Sequence, residues 1–245
     1  MKIDVCQSYE ELSQKASILI VDEIKKKKDL LLCTATGSSP TGTYRLLENE
    51  FRRQPSLFDE LRIIKLDEWG GIPGTDPGTC ESYLQAHVIQ PLGISESRYF
   101  GFNSNPTNSR QECLHIQDKL KREGPIDLCI LGIGMNGHIG FNEPADSLQP
   151  HAHVSQLSQS SLQHSMASGM TIGPSFGLTL GMADILQSRM IVMLISGSQK
   201  RNIVKKFLSE KITTLVPASF LWLHPRVICL VDQDAMENKL YTYEK

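Results

Sequence analysis

The chain has 245 residues, a formal net charge of −2 and 40% hydrophobic residues, enough for one large α/β domain with a sizeable core. Its 25 lysines and arginines are interspersed with 27 aspartates and glutamates, which excludes a nucleic-acid or anionic-membrane surface. The N-terminal MKIDVCQSYE has no apolar signal core, and no apolar run is long enough to span a bilayer; a cytoplasmic protein is expected.

The first helix is signalled by Ser8 and Glu11, a candidate capping box, followed by Leu12, Ala16, Leu19, Ile20 and Ile24 at helical spacing. The basic run Lys25–Lys28 falls at the end of that helix, where lysines complement the dipole. Leu30–Ala35 is short and uniformly apolar, as in a strand buried on both faces. Four similar runs follow: Leu61–Leu66, Asp127–Ile133, Met190–Ile195 and Val227–Val231. Helical candidates lie between them at Pro40–Glu50, Cys80–Val88, Arg110–Lys121 and Lys200–Ser209. This alternation predicts a single α/β domain over residues 1–245, Rossmann-like and doubly wound, with a mostly parallel sheet and helices on both faces. The segment 150–177 is rich in Ser, Gln, His and Gly; a lid over a site and a long surface connection both fit it. Six cysteines, at 6, 33, 80, 113, 129 and 229, show no CxxC spacing and read as free thiols in a reducing compartment.

In open parallel sheets ligands bind at the carboxyl ends of the strands. After the first buried run comes Thr34-Ala-Thr-Gly-Ser-Ser-Pro-Thr41. Ser39 suits an N-cap and Pro40 the first helical position. A loop of this type opening a helix offers free N–H groups to a phosphate, and it also serves as an ordinary βα turn. It lacks the Gly-Lys-Ser/Thr of a Walker loop. After the second run come Asp67 and Glu68, beside Trp69 and two glycines. Two acids at a strand end are costly to bury without a task. Their side chains alternate across the strand, so one is expected to face the cleft.

After the third run comes Leu131-Gly-Ile-Gly-Met-Asn-Gly-His-Ile-Gly-Phe-Asn-Glu-Pro144, carrying Asn136, His138, Asn142 and Glu143 among four glycines. A histidine beside a carboxylate suits acid–base work near neutrality. The stretch is not GxGxxG, so no dinucleotide is implied. One histidine and one glutamate with amides make a poor metal set, so no metal is expected. After the fourth run, Ser196-Gly-Ser-Gln-Lys200 again joins a Gly/Ser loop to a helix start, with a lysine able to reach a phosphate. Pro217–His224 reads as a helix with Phe220, Leu221 and Leu223 inward and His224 in a core or capping role.

LDEW at Leu66–Trp69, LGIGMNGHIGFNEP at Leu131–Pro144 and SGSQK at Ser196–Lys200 resemble the glucosamine-6-phosphate deaminase (isomerase) family, as do TATGSSP and PASFLWLHP at Pro217–Pro225. The resemblance covers nearly the whole chain. The DEW triplet, Pro77–Gly93, Asn142–Leu157 and PASFLWLH are closer to a galactosamine-6-phosphate branch. The resemblance implies a fold shared with ribose-5-phosphate isomerases and a cofactor-free reaction on a small sugar phosphate. By it, His138 handles the proton at the ring oxygen, held by Glu143 and Asn136. Asp67 moves a proton between C2 and C1, and ammonia leaves from C2. Thr36, Gly37, Ser38, Ser39 and Lys200 hold the phosphate. Assembly into a homo-oligomer is left open.

Two departures accompany it. Some members carry an acid where this chain has Asn136, and the family's phosphate-binding arginine has no counterpart between Arg122 and Arg189; that contact is either missing or replaced, with His164 or another residue of 150–177 as a candidate. Among other readings, a 6-phosphogluconolactonase typically lacks the Phe-Asn-Glu-Pro continuation. A non-catalytic sugar-phosphate sensor would need a DNA-binding extension, for which a fold beginning near Ser8 leaves no room. Allosteric members place basic residues at positions matching His153 and Ser155. Rate curves are therefore expected to be hyperbolic and unchanged by N-acetylglucosamine 6-phosphate; a sigmoidal curve abolished by that compound would refute this.

Overall fold

In the computed structural model, residues 1–163, 165–168 and 170–236 are described. Seven parallel strands form the main sheet, in the order β1 (Lys2–Cys6), β10 (Val227–Asp232), β9 (Met190–Ile195), β6 (Leu128–Leu131), β2 (Leu31–Thr34), β3 (Arg62–Lys65) and β5 (Tyr99–Phe100). The expected α/β class and parallel sheet are present. The inner strands are buried on both faces because their residues alternate between two cores. Leu31, Cys33, Cys129, Leu131, Ile191 and Met193 face one core; Leu32, Leu128, Ile130, Met190 and Val192 face the other. That second core is closed by α1 (Tyr9–Lys26) and α2 (Ser38–Arg53). The first is closed by α4 (Ser109–Glu123), α7 (Met182–Leu186) and α8 (Arg201–Phe207).

Helix α1 begins as read: Ser8 accepts from the Glu11 N–H, while Glu11 reaches back to the N–H of Gln7 at 2.6 Å. Three expectations change. The fold begins at β1, before Ser8, and this polar edge strand has too little apolar character to be read from sequence. Helix α2 is capped by Gly37, not Ser39; a φ of 106° there is a conformation glycine adopts freely, and Pro40 is tolerated in the first turn, where N–H groups lack helical partners. Pro217–Leu223 is a 3-10 helix, whose three-residue period turns Ala218 and Leu221 inward and leaves Leu223 63% exposed.

A second, antiparallel sheet lies at one end of the first. It contains β4 (Asp67–Gly70), β8 (Phe176–Thr179) and β7 (His153–Ser155). The chain passes between the two sheets at one residue: Leu66 donates to the Thr34 carbonyl in the parallel sheet and accepts from the Leu180 N–H at the edge of the small one. Beneath this corner, Lys65 is 1% exposed and lies 2.7 Å from both Glu68 and Glu81. Glu68 also accepts the N–H groups of Trp69, Cys80 and Glu81, each at 2.8 Å. It thereby satisfies the start of α3 (Cys80–Leu84), which continues as a π-helical turn, Gln85–Ile89. All six cysteines are free and buried, and no described helix is long and apolar enough to cross a membrane.

Removing one partner of a buried ion pair strands the other charge. Lys65→Met is expected to lower the unfolding free energy by about 3–5 kcal/mol. Lys15→Met, at the half-exposed pair with Asp4 and Glu11, should cost less than about 1 kcal/mol. Urea denaturation of the two variants measures the difference.

Candidate active site

The strands β2, β3 and β5 run outward in one direction from the sheet centre, and β6, β9 and β10 in the other. The order therefore reverses between β2 and β6, and the loops leaving their carboxyl ends part to form a crevice. A cavity of about 120 Å³ occupies it, lined by Thr36–Pro40 from the first loop, Asp67 from the sheet corner, Gly132–Met135 and His138 from the third, and Lys200 from the fourth. Of the nine residues singled out from sequence, Thr36, Gly37, Ser38, Ser39, Asp67, His138 and Lys200 meet here. Asn136 and Glu143 stand behind the imidazole instead.

Asp67 is 8% exposed, whereas Glu68 on the opposite face is fully buried in the network with Lys65. One acid faces the cavity and one braces the fold, as the alternation of strand side chains required. Burial pushes the Asp67 pKa up to about 7; the neighbouring Glu68 charge adds to the rise and the Lys65 ammonium opposes it. The Cys80 thiol lies 4.0 Å from Asp67 Oδ1.

His138 Nδ1 is 3.3 Å from Glu143 Oε2. The same oxygen accepts from the Asn136 amide at 2.8 Å, and Asn136 Oδ1 accepts from the His138 N–H at 3.2 Å. The other carboxylate oxygen, Oε1, accepts from the Ser158 N–H at 3.4 Å and from the Ser161 hydroxyl. Burial would raise the Glu143 pKa, but the His138 ring, the Ser161 hydroxyl and the Asn136 amide outweigh it and hold the carboxylate at about 2. The imidazole depends on Gly134, where an added Cβ would lie 2.3 Å from its ring. Asn142 is a brace: its amide donates to the Ile139 and Leu180 carbonyls at 3.0 and 2.9 Å.

Lys200 Nζ donates to the Ile133 carbonyl at 2.7 Å, and burial lowers its pKa. It is the one lysine or arginine among the described residues lining the cavity. Ser39 and Ser196 join the first and fourth loops through their hydroxyls at 3.0 Å. His164 lies outside the described residues. His224 is buried, its Nε2 2.7 Å from the Ser188 carbonyl, and takes the structural role expected. Among the described residues, no three histidine, cysteine, aspartate or glutamate side chains are grouped to hold a metal ion.

The sequence reading missed Ser158 and Ser161. It also missed the aromatic pair Trp69–Phe141, with ring centroids 4.5 Å apart, which with Met166 lines an extension of the cavity beside Asp67 and His138. Ser158 caps the short helix α5 (Gln159–Leu162) through the Ser161 N–H, so Ser-x-x-Ser was a legible helix start; its proximity to Glu143 was not. Beyond Glu143 lies a second hollow, bordered by Pro144, Leu148, His153 and Ser155, with no lysine or arginine among its described lining residues. Burial lowers the His153 pKa.

A model of the glucosamine-6-phosphate isomerases/6-phosphogluconolactonase family matches residues 6–229. The chain belongs to that family. Within it, "Putative deaminase AgaI" of Escherichia coli (strain K12) is 42% identical over 226 residues, covering 92% of this chain and 90% of that protein. The solved structure of a monomeric glucosamine-6-phosphate deaminase superposes with a TM-score of 0.91 at 38% identity, over 96% of this chain and 98% of that one. The 6-phosphogluconolactonase of Trypanosoma brucei, at 20% identity, shares the fold with a TM-score of 0.74 over 98% of both chains.

The raised Asp67 pKa has a consequence for stability. An unfolded aspartate titrates near ~3.9, whereas the folded one titrates near 7. Between these values the folded chain holds a proton that the unfolded chain has released, so stability falls as pH rises through the window. Asp67→Asn removes that penalty. Its melting temperature should match the wild type near pH 4 and exceed it by several degrees at pH 8, as followed by calorimetry; a variant less stable at pH 8 would contradict the assignment.

Proposed function

We propose that this protein is a hexosamine-6-phosphate deaminase of the cytoplasm, converting the aldose amine to a ketohexose 6-phosphate and ammonia, with galactosamine 6-phosphate preferred and glucosamine 6-phosphate next. The observation that carries the reading is that Asp67 and His138 face one cavity whose far wall is the Gly37 loop and Lys200. Support for the sugar preference comes from the galactosamine-branch motifs; the 42% identity to the deaminase-named relative supports the deaminase reading.

In this reading the phosphate sits against the N–H groups opening α2, with Ser38, Ser39 and Thr36 as hydroxyl partners and Lys200 as counter-charge. With Nδ1 engaged by Glu143, His138 turns Nε2 to the cavity and carries the proton at the ring oxygen as the sugar opens. The low pKa of Glu143 keeps it ionised, so an imidazolium formed in that step is stabilised. Asp67, titrating near 7, is matched to taking a proton from C2 and returning one to C1 near neutral pH. The transfer leaves an imine at C2; water adds there, supplying the ketone oxygen, and ammonia leaves C2. The segment 150–177 serves as the lid, since Ser160, Ser161 and Met166 border the cavity and its extension. A lactonase reading would leave Glu143 and its four hydrogen-bond partners without a function.

Ammonia release from galactosamine 6-phosphate and glucosamine 6-phosphate, measured beside hydrolysis of 6-phosphogluconolactone, tests the assignment. Ammonia from both sugars, fastest with the galacto isomer, and no lactone hydrolysis are expected; the reverse pattern would make the protein a lactonase. Asp67→Asn should lower turnover by ~10²–10⁴-fold while sugar-phosphate binding persists. His138→Gln should lose more on the pyranose substrate than on an open-chain analogue.

A further inference from the structure

Glu143 is held from two sides. The loop after β6 provides both partners of Oε2, the Asn136 amide and the His138 ring. The start of α5 provides both partners of Oε1, the Ser158 N–H and the Ser161 hydroxyl. Ser161 is 2% exposed, and its hydroxyl also lies 3.4 Å from His138 Nδ1 and 3.2 Å from the Ser158 hydroxyl. The Ser158 hydroxyl in turn accepts from the Asn136 amide at 3.2 Å. The two serines thus close a ring of contacts around one carboxylate. Without α5 in place, Oε1 loses both of its protein partners and the carboxylate can rotate about its last torsion, which is soft for a glutamate. The nitrogen it orients would then lose its fixed tautomer and direction.

We propose that Ser161 is a positioning residue of the reaction: by clamping Glu143 Oε1 from the segment over the site, it fixes the direction in which His138 presents its proton to the sugar ring. The inference rests on the deaminase reading given above. It differs from a packing role in what it affects. Substrate binding is carried by the Gly37 loop and Lys200 on the opposite wall, so Ser161 acts on turnover. Within turnover it acts on the ring-opening proton, which His138 carries, and not on the C2–C1 transfer, which Asp67 carries. It also ties the site's assembly to the placement of α5, whose segment is held further along where the Thr171 N–H donates to Asp76 at 3.1 Å.

The test compares Ser161→Ala, Ser161→Cys and Ser161→Thr with the wild type, and uses Gln159→Ala, at an exposed position of the same helix, as the control. Melting curves establish that each is folded. Cysteine keeps the shape of serine, slightly enlarged, with a poor hydrogen-bond donor, so it reports on the hydroxyl without leaving the gap that alanine does. Binding of an open-chain amino-hexitol 6-phosphate should stay within about threefold of the wild type in all variants. On the pyranose substrate, the alanine and cysteine variants should show kcat about tenfold lower, the scale of a lost hydrogen bond to a charged group. Threonine should restore it to within about threefold, and Gln159→Ala should match the wild type. On an open-chain analogue that cannot form the pyranose ring, the loss should shrink to about twofold. Wild-type kcat in the cysteine variant, or equal losses on both substrates, would overturn the positioning role while leaving the deaminase reading intact. A wild-type enzyme that releases no ammonia from either hexosamine 6-phosphate would instead refute that reading and the inference resting on it.

Discussion

The buried ion pair between Lys65 and Glu68 holds together what the rest of the site uses. It sits where the third strand of the parallel sheet ends and the chain crosses to the small antiparallel one. Glu68 spends its carboxylate on Lys65 and three backbone N–H groups, which fixes the corner and the start of α3 together. Asp67, beside it, faces the cavity with its carboxyl largely buried. The raised pKa follows from that placement, because burial and the adjacent Glu68 charge both favour the protonated form. A buried ion pair is weak evidence for stability as such. Here its consequence is local: it determines which acid points to the cavity and what that acid's environment is.

The glycine-rich stretch after β6 has a related logic. Gly134 leaves room for the imidazole at a spacing no side chain permits. The Thr179 hydroxyl accepts from the Phe141 N–H at 3.1 Å and Asn142 bonds the Leu180 carbonyl, so the small sheet that carries Asp67 also supports the loop that carries His138. The two proposed proton-transferring groups are referenced to one frame. Their separation is set by the pairing of β4 with β8 rather than by either loop alone.

Much of this was legible in the sequence, for identifiable reasons. Strands buried on both faces are continuous apolar runs, and Leu30–Ala35 or Met190–Ile195 could hardly be anything else. The order of those runs places the loops after them on one sheet edge, which brought Asp67, His138 and Lys200 to a common site before any coordinates. What stayed hidden depends on distance along the chain. The antiparallel sheet has strands of three or four residues, and β4 pairs with β8 more than a hundred residues later; neither strand carries a period long enough to detect. Ser161 was invisible for the same reason, because a serine declares a helix cap locally and a contact with Glu143 only in three dimensions. The 3-10 turn at Pro217–Leu223 misled because a three-residue period and a 3.6-residue period differ little over two turns, until Leu223 faces solvent instead of core.

The asparagine at 136, where some relatives of this type carry an acid, bears on how the proposed dyad is charged. Its amide donates to Glu143 while its carbonyl oxygen accepts from the His138 backbone, so both ends of one side chain are used. An aspartate could accept the second bond but could make the first only when protonated, since an ionised carboxylate has no donor. Two carboxylates in contact would push one pKa up and leave the imidazole facing a shared proton. With asparagine the histidine faces a single carboxylate whose pKa is held low, while Asp67 titrates near 7. The cost is a site that depends more heavily on neutral donors to hold Glu143 in place. That dependence gives the serines of α5 their leverage over the site: in a chain with asparagine at 136, hydrogen bonding to Oε1 does orientational work that charge does not do.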